Sequence, residues 1–383
     1  MSNFTAQNQL KIKMNNLLKH NFGAGPGILP PAVLDDAARA VKNLDAAGLS
    51  ILEISHRSAE FETIIHSTEL LVRELLGVPD DYVVLLLQGG ASLQFCMVPM
   101  NFLKSSKKQA FYLDAGYFGA KAIKEAGLFG DAQVIASSRR QGYTFIPKDY
   151  TIPEEAAYFH YTSNNTIEGT QMSGELSLPV PVVCDMSSDI FSREVDISKF
   201  DLIYAGAQKN TGPAGLTIVI AKNSFLESVK HAVPSMLDYR SYRDNSSMYN
   251  TPPVFSIYTA MLNLQWLKEK GGVKAIAKEN LAKAQLLYEE IDRNPLFKGK
   301  AFREDRSLMN VTFQMENPAD EAEFLDYAAK AGMIGIKGYR TAGGFRCSLY
   351  NALPIESVKA MVECMQGYTK TFLHRRSFQS INR

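Results

Sequence analysis

Sulfur and metal chemistry have little to work with in this sequence. Four cysteines, Cys96, Cys184, Cys347 and Cys364, stand among 383 residues, with no CxxC pair and no histidine at metal-ligand spacing beside them. That pattern excludes a disulfide scaffold or a zinc module and predicts no metal. It suits reduced, core-filling thiols in a cytoplasmic protein. Excess charge is also missing: 41 Lys and Arg against 40 Asp and Glu leave a formal net charge of +1, so no overall field draws nucleic acid or a membrane surface. Anion recognition has to come from local arginines. No uninterrupted apolar run approaches membrane-spanning length. Residues 1–7 carry no basic segment followed by an apolar core, so no secretory signal is expected. The remaining balance, 46% hydrophobic and 21% charged, is that of a soluble globular chain long enough for two domains.

The most informative stretch is Asp201-Leu-Ile-Tyr-Ala-Gly-Ala-Gln-Lys209-Asn-Thr-Gly-Pro-Ala-Gly215. Leu202 to Ala205 read as a strand covered on both faces, as in a parallel sheet packed between helices. The glycines that follow permit tight backbone paths and close approach of a ligand. A lysine delivered into such a turn is partly desolvated, which lowers its pKa and favours the neutral amine that condenses with an aldehyde. The plainer alternative is a solvated loop lysine. Upstream, Val182-Val-Cys-Asp185 reads as a second buried strand ending in a carboxylate. Strand-end Asp185 and Lys209 then share the ligand-binding rim of an α/β sheet. This pairing meets the needs of pyridoxal phosphate, which takes a lysine for attachment and a carboxylate against its ring nitrogen. A helix cap or a structural ion pair would use the same two residues.

Other segments add context. Gly23-Ala-Gly-Pro-Gly27 has no preceding strand and is not a dinucleotide fingerprint. Asp81-Tyr-Val-Val-Leu-Leu-Leu-Gln88 is the cleanest strand, and Gly89-Gly90-Ala91-Ser92 turns it into a helix whose free N–H groups suit a phosphate. His160 lies inside a strand and reads as a core histidine. The pattern supports helices from 31 to 41, 61 to 76, 257 to 270, 273 to 293, 321 to 331 and 355 to 366, with a frayed polar tail after residue 373.

Ala205-Gly-Ala-Gln-Lys-Asn210, Gly212-Pro-Ala-Gly-Leu-Thr217, Asn21-Phe-Gly-Ala-Gly-Pro26 and Tyr350-Asn-Ala-Leu-Pro354 together resemble the phosphoserine aminotransferase family of class V aminotransferases. The resemblance runs from about residue 21 to about residue 372. It implies the type I pyridoxal-phosphate fold: an α/β large domain over 21–270 with a mostly parallel seven-stranded sheet, and a smaller C-terminal α/β domain over 271–383. Residues 1–20 are then an extension packing with the small domain. The implied activity is reversible transamination, in which L-glutamate and 3-phosphooxypyruvate give O-phospho-L-serine and 2-oxoglutarate. The family also acts on 4-phosphohydroxy-L-threonine in vitamin B6 synthesis.

Carried residue by residue, the resemblance makes Lys209 and Asp185 catalytic. It puts Ala91, Ser92, Phe118, Thr166 and Gln208 on pyridoxal phosphate, joined by Asn250 and Thr251 reaching its phosphate from a neighbouring subunit. It makes His56 and Arg57 a substrate-anion clamp supplied across a homodimer interface, Arg346 the seat of the α-carboxylate, and Arg340 with Tyr339 contacts to the distal phosphate. Three positions depart from common members: Ser92 where some have arginine, Phe118 where tryptophan is frequent, and Tyr339 where histidine is. Rival readings are another class V enzyme, such as a serine or alanine transaminase or a cysteine desulfurase, and a non-catalytic dimeric scaffold. A desulfurase needs a mobile cysteine, and Cys347 instead sits in an apparent strand. A scaffold would be expected to have lost Lys209 or Asp185.

Overall fold

The computed structural model describes residues 19–45, 47–104 and 108–381. Most of the expected N-terminal extension, residues 1–18, lies outside the described residues. Seven strands make the central sheet: β1 (Tyr82–Leu87), β2 (Ala110–Asp114), β3 (Ala132–Ser137), β4 (Tyr158–Thr162), β5 (Val182–Asp185), β6 (Leu202–Gly206) and β7 (Thr217–Lys222). Their spatial order is β1-β7-β6-β5-β4-β2-β3. β7 is antiparallel to both of its neighbours, and the strands from β6 through to β3 pair in parallel.

Why the central strands read as unbroken apolar runs is clear from β6. Leu202 and Tyr204 enter one buried cluster and Ile203 and Ala205 another, so both faces of the strand are covered. Helices α1 (Pro31–Lys42), α2 (Ala59–Leu76), α3 (Gly90–Phe102), α4 (Tyr117–Ala126) and α5 (Val254–Glu269) surround this sheet. Phe61 of α2 and Ile257 of α5 lie in the cluster with Ile203; Phe95 of α3 and Ala122 of α4 lie in the cluster with Tyr204. α2 begins where the Ser58 hydroxyl accepts from the Phe61 amide, and ends at Gly77 with φ 61°. His160 of β4 is a core residue: its Nε2 lies 2.8 Å from the Tyr204 hydroxyl, and burial pushes its pKa down to about 3, so it is neutral.

A second core lies around an antiparallel sheet, β8 (Phe297–Gly299), β9 (Asn310–Met315) and β10 (Phe345–Ser348), covered by α6 (Gly272–Arg293), α7 (Glu321–Lys330) and α8 (Ile355–Ile381). The start of the described chain belongs to it. His20–Asn21 pairs in parallel with Met333–Ile334, and Phe22 is fully buried there. One expectation is corrected. α8 does not stop near 366 and fray; it runs to Ile381, because Tyr368 packs on Phe324 and Phe372 packs on Tyr368. Each such buried ring is worth about 1.5–3 kcal/mol. Farther along, Arg375 pairs with Glu323 of α7. No helix among the described residues is long and apolar enough to cross a membrane.

Candidate active site

Lys209 sits in the turn between β6 and β7, at the end of the parallel strands. The turn is tied at its base, where the Ala207 carbonyl accepts from Thr211 and Gly212 and its amide donates to Leu216. The N-terminal loop lies across it. Gly27 N donates to Gln208 O at 2.7 Å, and a Cβ on Gly27 would stand 2.6 Å from Lys209 O and 2.8 Å from Tyr350 Cδ2, so only glycine fits there. This explains why the Gly-rich 23–27 segment, a mere turn by composition, belongs to the site.

Lys209 Nζ donates to Thr166 Oγ1 at 2.7 Å and lies 5.3 Å from the centre of the Phe118 ring. Burial pushes its pKa down to about 8; Asp185 pulls it back up, and Arg346 presses it lower. Asp185 ends β5 beside it, 3% exposed, with Oδ1 accepting from Ser187 N at 2.9 Å. Burial raises the Asp185 carboxyl while the Lys209 charge holds it down. Arg346 of β10 reaches the same place from the second sheet: Nη1 donates to Thr166 O at 3.3 Å, while Nε is buried without a partner. Thr166 thus joins the amine to the guanidinium. Gln208 is half-buried, with its side chain folded back so that a Cβ on Gly206 would lie 2.6 Å from its Oε1.

Tyr339 and Arg340 occupy an exposed turn over α4. The Tyr339 ring lies 5.4 Å from that of Tyr117, which lies 5.5 Å from that of Phe118. Ala91 and Ser92 are in the first turn of α3, where Gly89 and Gly90 take φ 89° and 63°; Ser92 is exposed. Asn250 and Thr251 enter α5 beside that turn, with Thr251 O accepting from Gln88 Nε2 at 2.8 Å. His56 and Thr251 line one cleft of about 370 Å³, and Arg57 is exposed next to it. Among the described residues no hydrogen bond, ion pair or ring contact within one chain joins His56, Arg57, Asn250 or Thr251 to Lys209, Thr166, Asp185, Phe118 or Arg346.

Several residues that hold the site were not singled out in the sequence. Asn210 donates to Ser188 O at 3.2 Å and accepts from Asn351 N at 3.0 Å, and its own carbonyl accepts from Asn263 Nδ2 at 2.9 Å. Lys283 of α6, 1% exposed, donates to the carbonyls of Leu349, Tyr350 and Leu353 and pins the turn that carries Asn351. Tyr350 Oη donates to Ala24 O at 2.7 Å. These bonds explain the Tyr350-Asn-Ala-Leu-Pro354 motif, since it locks the second core against the Lys209 turn. Glu168, buried two positions after Thr166, accepts from Tyr117 N at 2.9 Å.

The group pyridoxal phosphate would need at such a centre is present: a desolvated lysine, a buried carboxylate on the same rim, and a flat ring beside the amine. Comparison with known proteins agrees. The family model described as aminotransferase class V matches residues 19–361. A phosphoserine aminotransferase of Bacteroides thetaiotaomicron is 54% identical over 354 residues, covering 92% of this chain and 99% of the relative. The solved phosphoserine aminotransferase of Bacillus circulans subsp. alkalophilus superposes with a TM-score of 0.90 at 42% identity, covering 92% of this chain and 99% of that one. The pyridoxal-phosphate-bound enzyme of Trichomonas vaginalis gives a TM-score of 0.87 at 36% identity, over 91% and 100% of the two chains. The chain belongs to the class V aminotransferases, within their phosphoserine aminotransferase family.

Proposed function

We propose that this chain is a pyridoxal-phosphate-dependent aminotransferase that interconverts 3-phosphooxypyruvate and L-glutamate with O-phospho-L-serine and 2-oxoglutarate, in serine biosynthesis. The observation that carries the reading is the convergence of Lys209, Asp185, Thr166, Phe118 and Arg346 in a chain 54% identical to a phosphoserine aminotransferase.

Pyridoxal phosphate, when bound, supplies the electron sink that makes the substrate Cα–H bond labile. Lys209 attaches it, and a pKa near 8 keeps an appreciable fraction of the amine neutral at physiological pH. With its amine free, Lys209 Nζ would be the base that takes the substrate α-proton and gives it back. Thr166 Oγ1 orients that amine. The Asp185 carboxylate would keep the ring nitrogen protonated, and Phe118 would offer its face to the ring. Ala91, Ser92 and Gln208 are assigned to the cofactor, with the partner subunit's Asn250 and the partner subunit's Thr251 on its phosphate. That assignment rests on the family resemblance, and no hydrogen bond, ion pair or ring contact among the described residues ties Asn250 or Thr251 to the chain's own Lys209 cluster.

Arg346 is suited to the substrate α-carboxylate, because its unpartnered Nε leaves a guanidinium edge for a charge-assisted bond. At the distal end one site must accept a phosphate and a γ-carboxylate, which favours cations over a shaped apolar wall. Arg340, Tyr339, the partner subunit's His56 and the partner subunit's Arg57 supply it. The reading therefore entails a homodimer with shared sites, and we place it in the cytoplasm, where Cys96, Cys184, Cys347 and Cys364 stay free thiols as they are here. Desulfurase chemistry is disfavoured by Cys347, whose thiol is fully buried in β10 with its pKa pushed far up by burial.

The test is amino transfer to 2-oxoglutarate from O-phospho-L-serine, L-serine, L-alanine and L-cysteine in parallel. Expected is a preference for the phosphorylated donor of at least about a hundredfold in kcat/KM, the scale of one lost charge-assisted contact of about 3 kcal/mol. Equal turnover of L-serine or L-alanine would keep the fold and overturn the substrate.

A further inference from the structure

Transamination as described makes no use of Glu168, although it lies inside the site. Its side chain is 8% exposed, and its own carbonyl accepts from Thr312 Oγ1 of β9 at 2.7 Å. One carboxylate oxygen, Oε1, takes the Tyr117 amide of α4. The other, Oε2, is buried without a partner, and so is Asn165 Oδ1. Both face one spot: a Cβ on Gly116 would lie 2.3 Å from Asn165 Oδ1 and 3.0 Å from Glu168 Oε2. Two unpartnered buried oxygens beside the same point call for a donor there.

The local chemistry offers it in two ways. A protonated carboxyl donates from Oε2 to Asn165 Oδ1. With an ionised carboxylate, the Asn165 amide turns over, so that its NH₂ donates to Oε2 and its oxygen takes the Thr170 hydroxyl, now 3.1 Å from Nδ2. Glu168 is therefore accommodated in either state. The charges facing it are Arg346 of β10 and Lys300 from the loop between β8 and β9, the latter already donating to Ala342 O and Gly343 O. Burial pushes the carboxyl up to about 7; the amides of Tyr117 and Glu168, with Lys300 and Arg346, keep it from rising further.

We propose that Glu168 couples carboxylate binding at Arg346 to the uptake of one proton, and so is a further determinant of substrate affinity. Arg346 pairs across the sheet with Thr312, whose hydroxyl donates to Glu168 O, so a ligand carboxylate on the guanidinium removes one of the positive charges that hold the carboxyl down and brings a second negative charge close to it. Oε2 then takes a proton from solvent, and Glu168 remains neutral while the ligand stays. The sign follows. Below about pH 7 Glu168 is already protonated and binding is tightest; as pH rises from there to the higher pKa of the ligand-bound state, binding brings in a proton and affinity falls. The fall is about tenfold for each unit by which the ligand raises the carboxyl. This inference rests on the reading of Arg346 as the carboxylate seat.

The experiment is calorimetric titration of the cofactor-loaded enzyme with glutarate, a dicarboxylate with no amino group to react, in buffers of different ionisation heat. Wild type is expected to take up a proton near pH 7.5 and to bind several-fold more weakly near pH 8.5 than near pH 6.5. Glu168→Gln, which keeps the acceptor for Tyr117 N, is expected to bind with the Glu168 share of uptake gone and a flatter profile. The same proton count and profile in Glu168→Gln as in wild type would overturn the proposal, since a purely structural role for Glu168 leaves both unchanged. Arg346→Lys separates the two readings. If it weakens glutarate while Glu168→Gln behaves as wild type, only the proton coupling falls; if it binds glutarate undiminished, the carboxylate seat lies elsewhere and both fall.

Discussion

Replacing Lys209 by alanine is expected to abolish amino transfer, with a loss of at least about 10⁴ in kcat, because on the proposed reading one substitution removes both the attachment of the cofactor and the base that moves the α-proton. The loss is chemical and not a failure to fold. The wild-type side chain has its pKa held down to about 8, below its ordinary value near 10.5, so the ammonium is unfavourable in the folded chain. For a lysine with a depressed folded pKa, the stability present above the unfolded pKa is lost as pH falls through about 8. At pH 7 alanine removes that penalty in exchange for some packing. Thermal melting of the cofactor-free proteins is therefore expected to give similar midpoints. Retention of turnover within tenfold of wild type would remove Lys209 from the centre of the mechanism.

Asp185→Asn is expected to lower kcat by roughly 10 to 10³. A carboxylate next to a cation stabilises the protonated form by about one to three pKa units, and the ring nitrogen loses that support when the charge is deleted. The side chain stays the same size and can still accept from Ser187 N, so geometry is preserved. A second readout involves no turnover. Asp185 raises the pKa of Lys209, so in the cofactor-free variant that lysine should titrate below about 8, measurable as the pH dependence of its modification by an amine-specific reagent. Wild-type kcat together with an unmoved lysine would show that Asp185 is only a buried structural acid.

The parts of the molecule that could be read in advance are those where chain and environment say the same thing. Leu202 to Gly206 is apolar at every position because both of its faces are covered, and the glycines after it have no role except at a turn. Strand β3 was invisible for the opposite reason. It is the edge strand beyond β2, half-exposed, and Ala132-Gln-Val-Ile-Ala-Ser137 alternates too weakly to stand out; its pairing even shifts register between Tyr112 and Leu113. His374-Arg-Arg-Ser looks like a solvated tail, whereas the helix that carries it is anchored by Tyr368 and Phe372 within about two turns upstream.

Within the site, lysine, carboxylate and ring stood out as residue types with a chemical reason to be at strand ends. Their supports did not. Lys283 sits in a helix of alternating charge, where a lysine is normally solvated, and only the three carbonyls of the 349–353 turn explain its burial. Glu168 in a loop likewise reads as a solvent-facing acid until the Tyr117 amide and Arg346 are seen around it. The His56, Arg57, Asn250 and Thr251 group posed a different difficulty. Nothing in one chain's local pattern relates it to Lys209, and only the resemblance assigns it to the neighbouring subunit's site.

The most direct check of the central assignment is chemical. The purified protein is loaded with pyridoxal phosphate, reduced with borohydride to make the cofactor linkage permanent, digested, and its modified peptide sequenced. The cofactor is predicted on the peptide that contains Ala207-Gln208-Lys209-Asn210, with the other lysines unmodified. Labelling of a different lysine, such as Lys283 or Lys300, or no stoichiometric labelling at all, would contradict the account of the site given by Lys209, Asp185 and Thr166.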